Sequence, residues 1–438
     1  MSDETPNPST GPKAGHGGEQ KRTDEERLLD EIAKQKELID APPDDAKERI
    51  IRRANEKKLG QLEFKYQLMV EKKRLACELL KFQELYGDLY SEPCLICLDD
   101  IRVHASANLI EWFNCCGGFI CKSCARDVRE PGVGTSVDRC PLCRESLHAK
   151  TTAEKKAQVM SLAKRGVIWA QSNVGWCMTL GMRGFEIQVQ TGMEWINKAA
   201  AQNYPAALYA LSILYREGIA SELERSQGRA NELLLEAANL GHVLANSDLA
   251  DCHQKGADGF EKNPDEFYFR ASVAFALDNT HEEAARILGG LHFNKNQILA
   301  EPSPYLACYY RNIAASEDTT GSASYFYSKS LLRLAYNDRK TLKGSNELPA
   351  AFFWLRKSRD MGCNVAREML KKWEIFAQKT CGNCGKKVQA DEKFKQCSKC
   401  KAQWYCSKEC QIEAWRAGHK QDCKRATILK FEDYLNAE

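Results

Sequence analysis

The 438-residue chain holds twenty cysteines, and their uneven placement constrains the fold more than any other feature. Eight lie between Cys94 and Cys143 and seven between Cys381 and Cys423; only Cys77, Cys177, Cys252, Cys308 and Cys363 fall outside. Cysteine used as a small apolar core residue would be spread along the chain. The N-terminus, Met1 to Gln20, is polar with Gly and Pro and lacks the apolar stretch of a secretory signal. The expected setting is therefore reducing and intracellular, cytoplasmic and/or nuclear, where clustered cysteines read as metal ligands and not as disulfides.

Composition narrows the function classes. Lys and Arg total 63 against 60 Asp and Glu, a net charge of +3, which excludes coating nucleic acid by charge alone. No run reaches the roughly 18 apolar residues that a membrane span requires. Residues 1–23, with Pro6, Pro8 and Pro12, are expected to be disordered. Residues 24–90 read as a charged helical segment broken at Pro42-Pro43. Within it Leu68, Leu75, Leu79, Phe82, Tyr86 and Leu89 recur at helical spacing. Such a stripe predicts a helix packed on its own protein, with a homodimeric coiled coil as the alternative use.

Residues 152–376 are repetitive. Alanine followed four residues on by an apolar residue and then a small one recurs at Ala170, Ala207, Ala245 and Ala284, at intervals of 37, 38 and 39. A second mark, Trp195, Leu233 or Trp354, stands twelve residues before Ala207, Ala245 and Ala366. Small residues at fixed helical offsets let helices approach closely, and larger ones fill the next gap, as in stacked helix pairs. The pattern resembles Sel1-like repeats, relatives of the tetratricopeptide repeat. The resemblance implies an α-solenoid of four to five repeats that becomes irregular over 294–343. A single irregular helical domain is the alternative.

The C-terminal cluster, expected as a module over 377–425, reads Cys381-x2-Cys384, Cys397-x2-Cys400, Cys406-x3-Cys410 and His419-x3-Cys423. A C-x2-C turn can present two thiolates to one tetrahedral Zn²⁺, and eight ligands close two sites with no open position. This set, with "QWYCSKECQ" and Trp415 before His419, resembles the MYND finger. The resemblance implies interleaved ligation: Cys381, Cys384, Cys406 and Cys410 on one ion, Cys397, Cys400, His419 and Cys423 on the other. It also implies a groove for short proline-rich peptides at Gln411 and Trp415; a core role for Trp415 is the alternative. Residues 377–425 carry 12 Lys/Arg against 5 Asp/Glu, yet no finger spacing or recognition-helix pattern for nucleic acid accompanies them. No SET-type methyltransferase motif is present. Residues 426–438 read as a C-terminal tail.

The N-terminal cluster, placed in a module over 91–148, reads Cys94-x2-Cys97, Cys115-Cys116, Cys121-x2-Cys124 and Cys140-x2-Cys143. "CLIC", "ICKSC" and "CPLCR" resemble a RING finger. The histidine of the common RING would fall at Gly118, so either one ligand is missing or Cys115 and Cys116 are the third and fourth ligands of an all-cysteine variant. On the second reading Cys94, Cys97, Cys121 and Cys124 hold one ion, and Cys115, Cys116, Cys140 and Cys143 the other. By resemblance, Ile96, Pro141 and Leu142 would meet a ubiquitin-charged E2 enzyme and Arg144 would bridge E2 and ubiquitin. Apolar residues between ligands also serve folding alone, so a RING-like module without ligase activity is the alternative.

The expected fold is therefore mainly α: an α-solenoid of Sel1/TPR-like helix pairs flanked by two small cross-braced zinc-finger modules, with about four structural Zn²⁺ per chain. The expected function is a RING-type E3 ubiquitin ligase whose solenoid and MYND finger recruit partners, with E2, ubiquitin and proline-rich peptides as ligands. The alternative is a non-catalytic adaptor.

Overall fold

The computed structural model describes residues 23–39, 46–102, 109–129, 139–148, 150–219, 223–299, 301–336, 347–389 and 392–437. The expected disorder over 1–23, apart from Thr23, and the Pro42-Pro43 break lie outside these residues. The chain divides into two compact units, Met1–Tyr66 and Gln67–Glu438. No helix among the described residues is long and apolar enough to cross a membrane.

The first unit holds α1 (Asp24–Glu37) and the start of α2 (Ala46–Tyr86). Thr23 caps α1 by a reciprocal pair of bonds with Glu26, at 3.2 and 2.9 Å, which satisfies two free amides of the first turn. Leu28 and Ile32 turn inward. Gln35 donates to the Asn55 carbonyl at 3.1 Å, and Lys36 pairs with Glu63 at 3.3 Å.

The second unit begins within α2. A small module follows, with strands β1 (Glu92–Pro93), β2 (Asp100–Ile101), β3 (Ile110–Trp112) and β4 (Phe119–Cys121), then helix α3 (Lys122–Arg129). β1 pairs with β2 and β3 with β4, both antiparallel. The helical body starts with α4 (Thr152–Lys164), α5 (Ile168–Leu180), α6 (Val189–Ala200), α7 (Pro205–Glu217), α8 (Gln227–Asn239) and α9 (Val243–Lys255). It continues with α10 (Pro264–Leu277), α11 (Glu282–Phe293), α12 (Pro304–Ala314), α13 (Ser322–Tyr336), α14 (Leu348–Asp360) and α15 (Asn364–Ala377). A last module holds the antiparallel pair β5 (Lys395–Gln396) and β6 (Trp404–Tyr405), then α16 (Lys408–Ala414), a π-turn over Trp415–His419, α17 (Lys420–Arg425) and α18 (Phe431–Asn436).

The body is a run of antiparallel-neighbour helix pairs, α5–α6 through α13–α14. The repeating alanines mark the crossings: Ala170, Ala207, Ala245 and Ala284 are fully buried. Gly175 and Gly192 meet where α5 crosses α6, and a Cβ on Gly175 would lie 2.5 Å from the Gly192 carbonyl oxygen. Proline opens α7, α10 and α12, where its missing N–H costs nothing. Over α12 and α13 the alanine mark is lost, yet the pairing persists because Tyr310, Tyr327 and Leu331 fill the core instead.

The apolar stripe of α2 is spent within the chain. Leu75 and Phe82 are buried among Phe267, Phe269 and Leu277 of α10, and Leu68, Leu79, Tyr86 and Leu89 pack against the same cluster. That occupancy makes the stripe unavailable as a coiled-coil seam. Polar contacts fix the register: Tyr310 donates to Glu71 at 2.5 Å, Arg74 to Ser272 at 3.0 Å and Arg270 to the Tyr86 hydroxyl at 2.7 Å.

The segment over 426–437, read from the sequence as part of a C-terminal tail, is folded onto the helical body. It forms α18, with Phe431, Tyr434 and Leu435 buried. Asn312 anchors it, donating to the Leu429 carbonyl at 2.7 Å and accepting from the Phe431 amide at 2.9 Å.

Candidate metal centres

Four groups of ligand-type residues converge among the described residues. They are Cys94, Cys97, Cys121 and Cys124; Cys115, Cys116, Cys140 and Cys143; Cys381, Cys384, Cys406 and Cys410; and Cys397, Cys400, His419 and Cys423. Within each group the candidate ligand atoms lie within 4.8 Å of one another. A tetrahedron with Zn–S bonds of about 2.3 Å has edges of about 3.8 Å. The observed sulfur separations fit that edge: 3.9 Å for Cys97–Cys121 and Cys116–Cys140, 3.7 Å for Cys384–Cys406 and Cys397–Cys423. His419 Nε2 lies 3.3 Å from Cys397 Sγ, 3.4 Å from Cys423 Sγ and 3.6 Å from Cys400 Sγ. In each module the first and third ligand pairs make one group and the second and fourth the other, so the two centres brace each other. The donor set and spacing suit Zn²⁺.

One local turn builds four of the five C-x2-C pairs. In each, the first cysteine's amide donates to a carbonyl five or six residues on: Cys94 to Asp99, Cys140 to Glu145, Cys381 to Lys386 and Cys397 to Gln403, at 2.8 to 2.9 Å. The residue four after that cysteine donates back to its carbonyl at 2.9 to 3.0 Å. That residue has a left-handed backbone: Leu98 at φ 64°, Arg144 at 66°, Gly385 at 73° and Lys401 at 49°. The tight turn aims both thiols of the pair inward.

The modules share an electrostatic device. The Cys121 amide donates to Cys94 Sγ at 3.3 Å, and the Cys406 amide to Cys381 Sγ at 3.4 Å. Burial alone would raise these thiols. Amides of Cys121, Cys97 and Ile96 outweigh it at Cys94, bringing it to about 6, and those of Cys384, Cys406 and Asn383 bring Cys381 to about 7. Both are held toward thiolate, the form that ligates metal.

The structure brings Cys115 and Cys116 together beside Cys140 and Cys143, with Cys115 and Cys143 sulfurs 3.4 Å apart. A Cβ on Gly118 would lie 2.4 Å from Leu142 Cδ1 and 2.8 Å from Leu95 Cδ1, the ends of two flexible side chains. Leu95 and Leu142 thus approach each other over Gly118, so the first and last loops of the module border one another. Ile96 is 42% exposed, with Leu95 and Leu98 exposed beside it. Arg144 is exposed, whereas Pro141 and Leu142 are half-buried. Gln411 and Trp415 are also half-buried. The Trp415 ring meets His419 edge-on at 5.9 Å, and the Lys399 ammonium stands 5.4 Å from its centroid.

Sequence spacing gave no sign of the residues that dock the modules on the body. Trp169 of α5 donates to the Gly117 carbonyl at 2.8 Å and its ring lies 5.2 Å from Trp112. Arg356 of α14 donates to the carbonyl of Cys400 at 2.6 Å, and Phe352 stands against Trp404. These partners are 44 and 52 residues apart in the chain, beyond any local motif.

Comparison with known proteins agrees with part of this picture. Two F-box proteins of Arabidopsis thaliana are similar: one is 26% identical over 271 residues, covering 56% of this chain and 59% of the relative. The second is 24% identical over 243 residues, covering 53% and 56%. The chain thus spans less than two thirds of the length of these curated relatives. A short segment of 33 residues is 58% identical to ubiquitin carboxyl-terminal hydrolase 16 of the same plant, covering 8% of this chain and 3% of that one. Among solved structures, a Sel1 repeat protein from Oxalobacter formigenes aligns over 50% of this chain and 59% of its own, with TM-score 0.40 and 19% identity. The c5321 antigen of uropathogenic Escherichia coli, an SLR fold, aligns over 65% and 52%, with TM-score 0.40 and 17% identity. Family models match in two places, neither reaching 94–143: the Sel1 repeat over 170–204, 205–242, 243–266 and 328–363, and the MYND finger over 381–423.

Proposed function

We propose that this chain is a zinc-stabilised protein-recruitment platform whose 94–143 module acts as a RING-type E3 ubiquitin ligase. The sixteen residues of the four groups would hold four structural zinc ions, which fix the loops and supply no reacting group. The observation that carries the ligase reading is the surface of the first module. Exposed Ile96 and Leu98 flank the border between the first and last loops, where Leu95 meets Leu142, with the exposed Arg144 cation following the last ligand. An apolar patch beside a cation suits docking an E2 enzyme and hydrogen-bonding its charged ubiquitin. Such a ligase works by positioning the thioester for an attacking lysine and needs no nucleophile of its own. The helix pairs and the 381–423 finger would then hold protein partners, including short proline-rich peptides near Gln411 and Trp415.

The second reading is a non-catalytic adaptor. It is favoured by the docking of both modules on the helical body through Trp169 and Arg356, which sets a fixed spacing between two interaction surfaces.

The test is autoubiquitination by zinc-loaded protein across a panel of E2 enzymes. Wild type should build chains, and Ile96→Ala and Arg144→Ala should abolish them. Arg144→Gly separates folding from function: glycine suits φ 66° and should hold stability within about 1 kcal/mol while also abolishing transfer. Absence of chains with every E2 would leave the adaptor reading.

A further inference from the structure

Arg311 of α12 is a buried guanidinium with no carboxylate partner among the described residues. It is 8% exposed, and it donates to the Phe326 carbonyl at 3.2 Å and to Ser330 Oγ at 3.0 Å, both uncharged. The equally buried arginines differ. Arg270 pairs with Glu266 at 3.2 Å, and Arg425 pairs with Asp422 at 3.3 Å and Glu347 at 3.9 Å. A buried cation lacking a counter-charge is costly, and packing alone would be served as well by an apolar side chain.

Two more cations converge on the same place. Arg311 lies 4.1 Å from the Phe293 ring centroid, Arg333 5.0 Å and the Lys329 ammonium 5.4 Å. Lys329 also stands 5.7 Å from Tyr325 and 5.9 Å from Phe326. Arg333 donates to Asn294 Oδ1 at 3.2 Å, again an uncharged partner. Burial, with Arg333 adding to it, pushes Arg311 down to about 10, and burial with Arg311 lowers Lys329. No carboxylate among the described residues contributes to either shift. Ring faces offset part of the repulsion, roughly 1–2 kcal/mol for each cation. They leave the summed charge without a carboxylate counter-charge among the described residues. Beside the cations Phe326 is 40% exposed, an apolar surface that a small free anion would not use.

We propose that Arg311, Lys329, Arg333 and Phe326 form a binding site on the helical body for an acidic peptide of a partner protein. Its carboxylates meet Lys329 and the Arg333 fork, the buried Arg311 adds positive charge from beneath, and an apolar side chain covers Phe326. The cations gather around one ring on neighbouring helices and do not run as a track, which favours a short peptide over a nucleic-acid backbone. The site shares no residue with the cysteine modules and stands whether or not they transfer ubiquitin.

The experiment is fluorescence anisotropy on the full zinc-loaded chain, with a fluorescein-labelled peptide of glutamates around a central leucine. Binding should saturate and weaken with added salt. Lys329→Gln with Arg333→Gln should weaken it about tenfold, the loss of two charge-assisted contacts. Phe326→Ala should weaken it too. Lys371→Gln with Lys372→Gln, two exposed lysines of α15, should leave it unchanged. The proposal is overturned by equal binding in the Lys329/Arg333 variant, by no binding of the peptide, or by tighter binding of a single-stranded oligonucleotide of equal charge. Circular dichroism on each variant separates lost binding from lost fold.

Discussion

Glu71 lies on the face of α2 that packs against the helical body and is 5% exposed, a burial that would ordinarily raise a carboxyl pKa. Here Arg74, His292 and Tyr310 outweigh burial and hold it well below the usual carboxylate range. A depressed folded value means that the stabilisation is present in full above the unfolded carboxylate pKa of about 4.3. It is lost as pH falls below that value toward the folded one. Glu71→Ala strands the buried Tyr310 hydroxyl and leaves Arg74 only Glu78, at 3.8 Å, and Ser272, and should cost about 1–3 kcal/mol in urea unfolding near neutral pH. Glu71→Gln should flatten the stability curve below pH about 5, and an unchanged acid limb would show that other carboxylates set it. Nothing in the sequence singled out Glu71, because its partners Tyr310 and His292 lie more than two hundred residues away. The turn behind the cysteine pairs was equally hidden. Three of its four left-handed positions are Leu98, Arg144 and Lys401, and only Gly385 carries the residue that signals such a backbone.

At the scale of elements, small residues were the legible signal and their consequences can be ranked. Gly175 and Gly290 both sit inside helices of the body, but only Gly175 occupies the small position of the repeat mark. A Cβ on Gly175 would stand 2.5 Å from the Gly192 oxygen and 2.8 Å from the Ile196 amide nitrogen, so α5 and α6 would have to separate. Gly175→Ala should destabilise by about 1–3 kcal/mol, more than the gain in helix propensity returns. A Cβ on Gly290 meets nothing within 4 Å, so Gly290→Ala should stabilise by about 0.5–1 kcal/mol. Thermal melts of the two variants should shift in opposite directions; shifts of the same sign would contradict the close crossing of α5 and α6. The stripe of α2 shows the limit of such reading. Periodicity said that Leu75 and Phe82 would be buried, but burial against α10 and burial in a second copy demand the same spacing. Only the complementary surface, Phe267 and Phe269, decides between them.

For the whole molecule the question is whether the cysteine modules support the helical body or are supported by it. Ligand pairs were legible from spacing; which pairs share a centre came only through resemblance, since interleaving is a property of the folded chain. The docking contacts were not legible at all. Among the described residues they include the Trp169 bond to Gly117, the Arg356 bond to Cys400 with the aromatic contacts beside them, and the Asn312 bonds to the segment of α18. The body carries its own core, from Ala170 and Val174 to Tyr327 and Trp354. Metal binding and folding are coupled only where ligands hold the chain. Elemental analysis should therefore find close to four zinc per chain, and a value near three would locate a defect at the adjacent Cys115 and Cys116. Chelation should leave most of the helical circular dichroism in place. It should change the tryptophan emission, because Trp112 and Trp169 lose their contact when the first module unfolds. Loss of the whole helical signal on chelation would mean instead that the modules hold the helix pairs together, making the chain one cooperative metal-dependent fold.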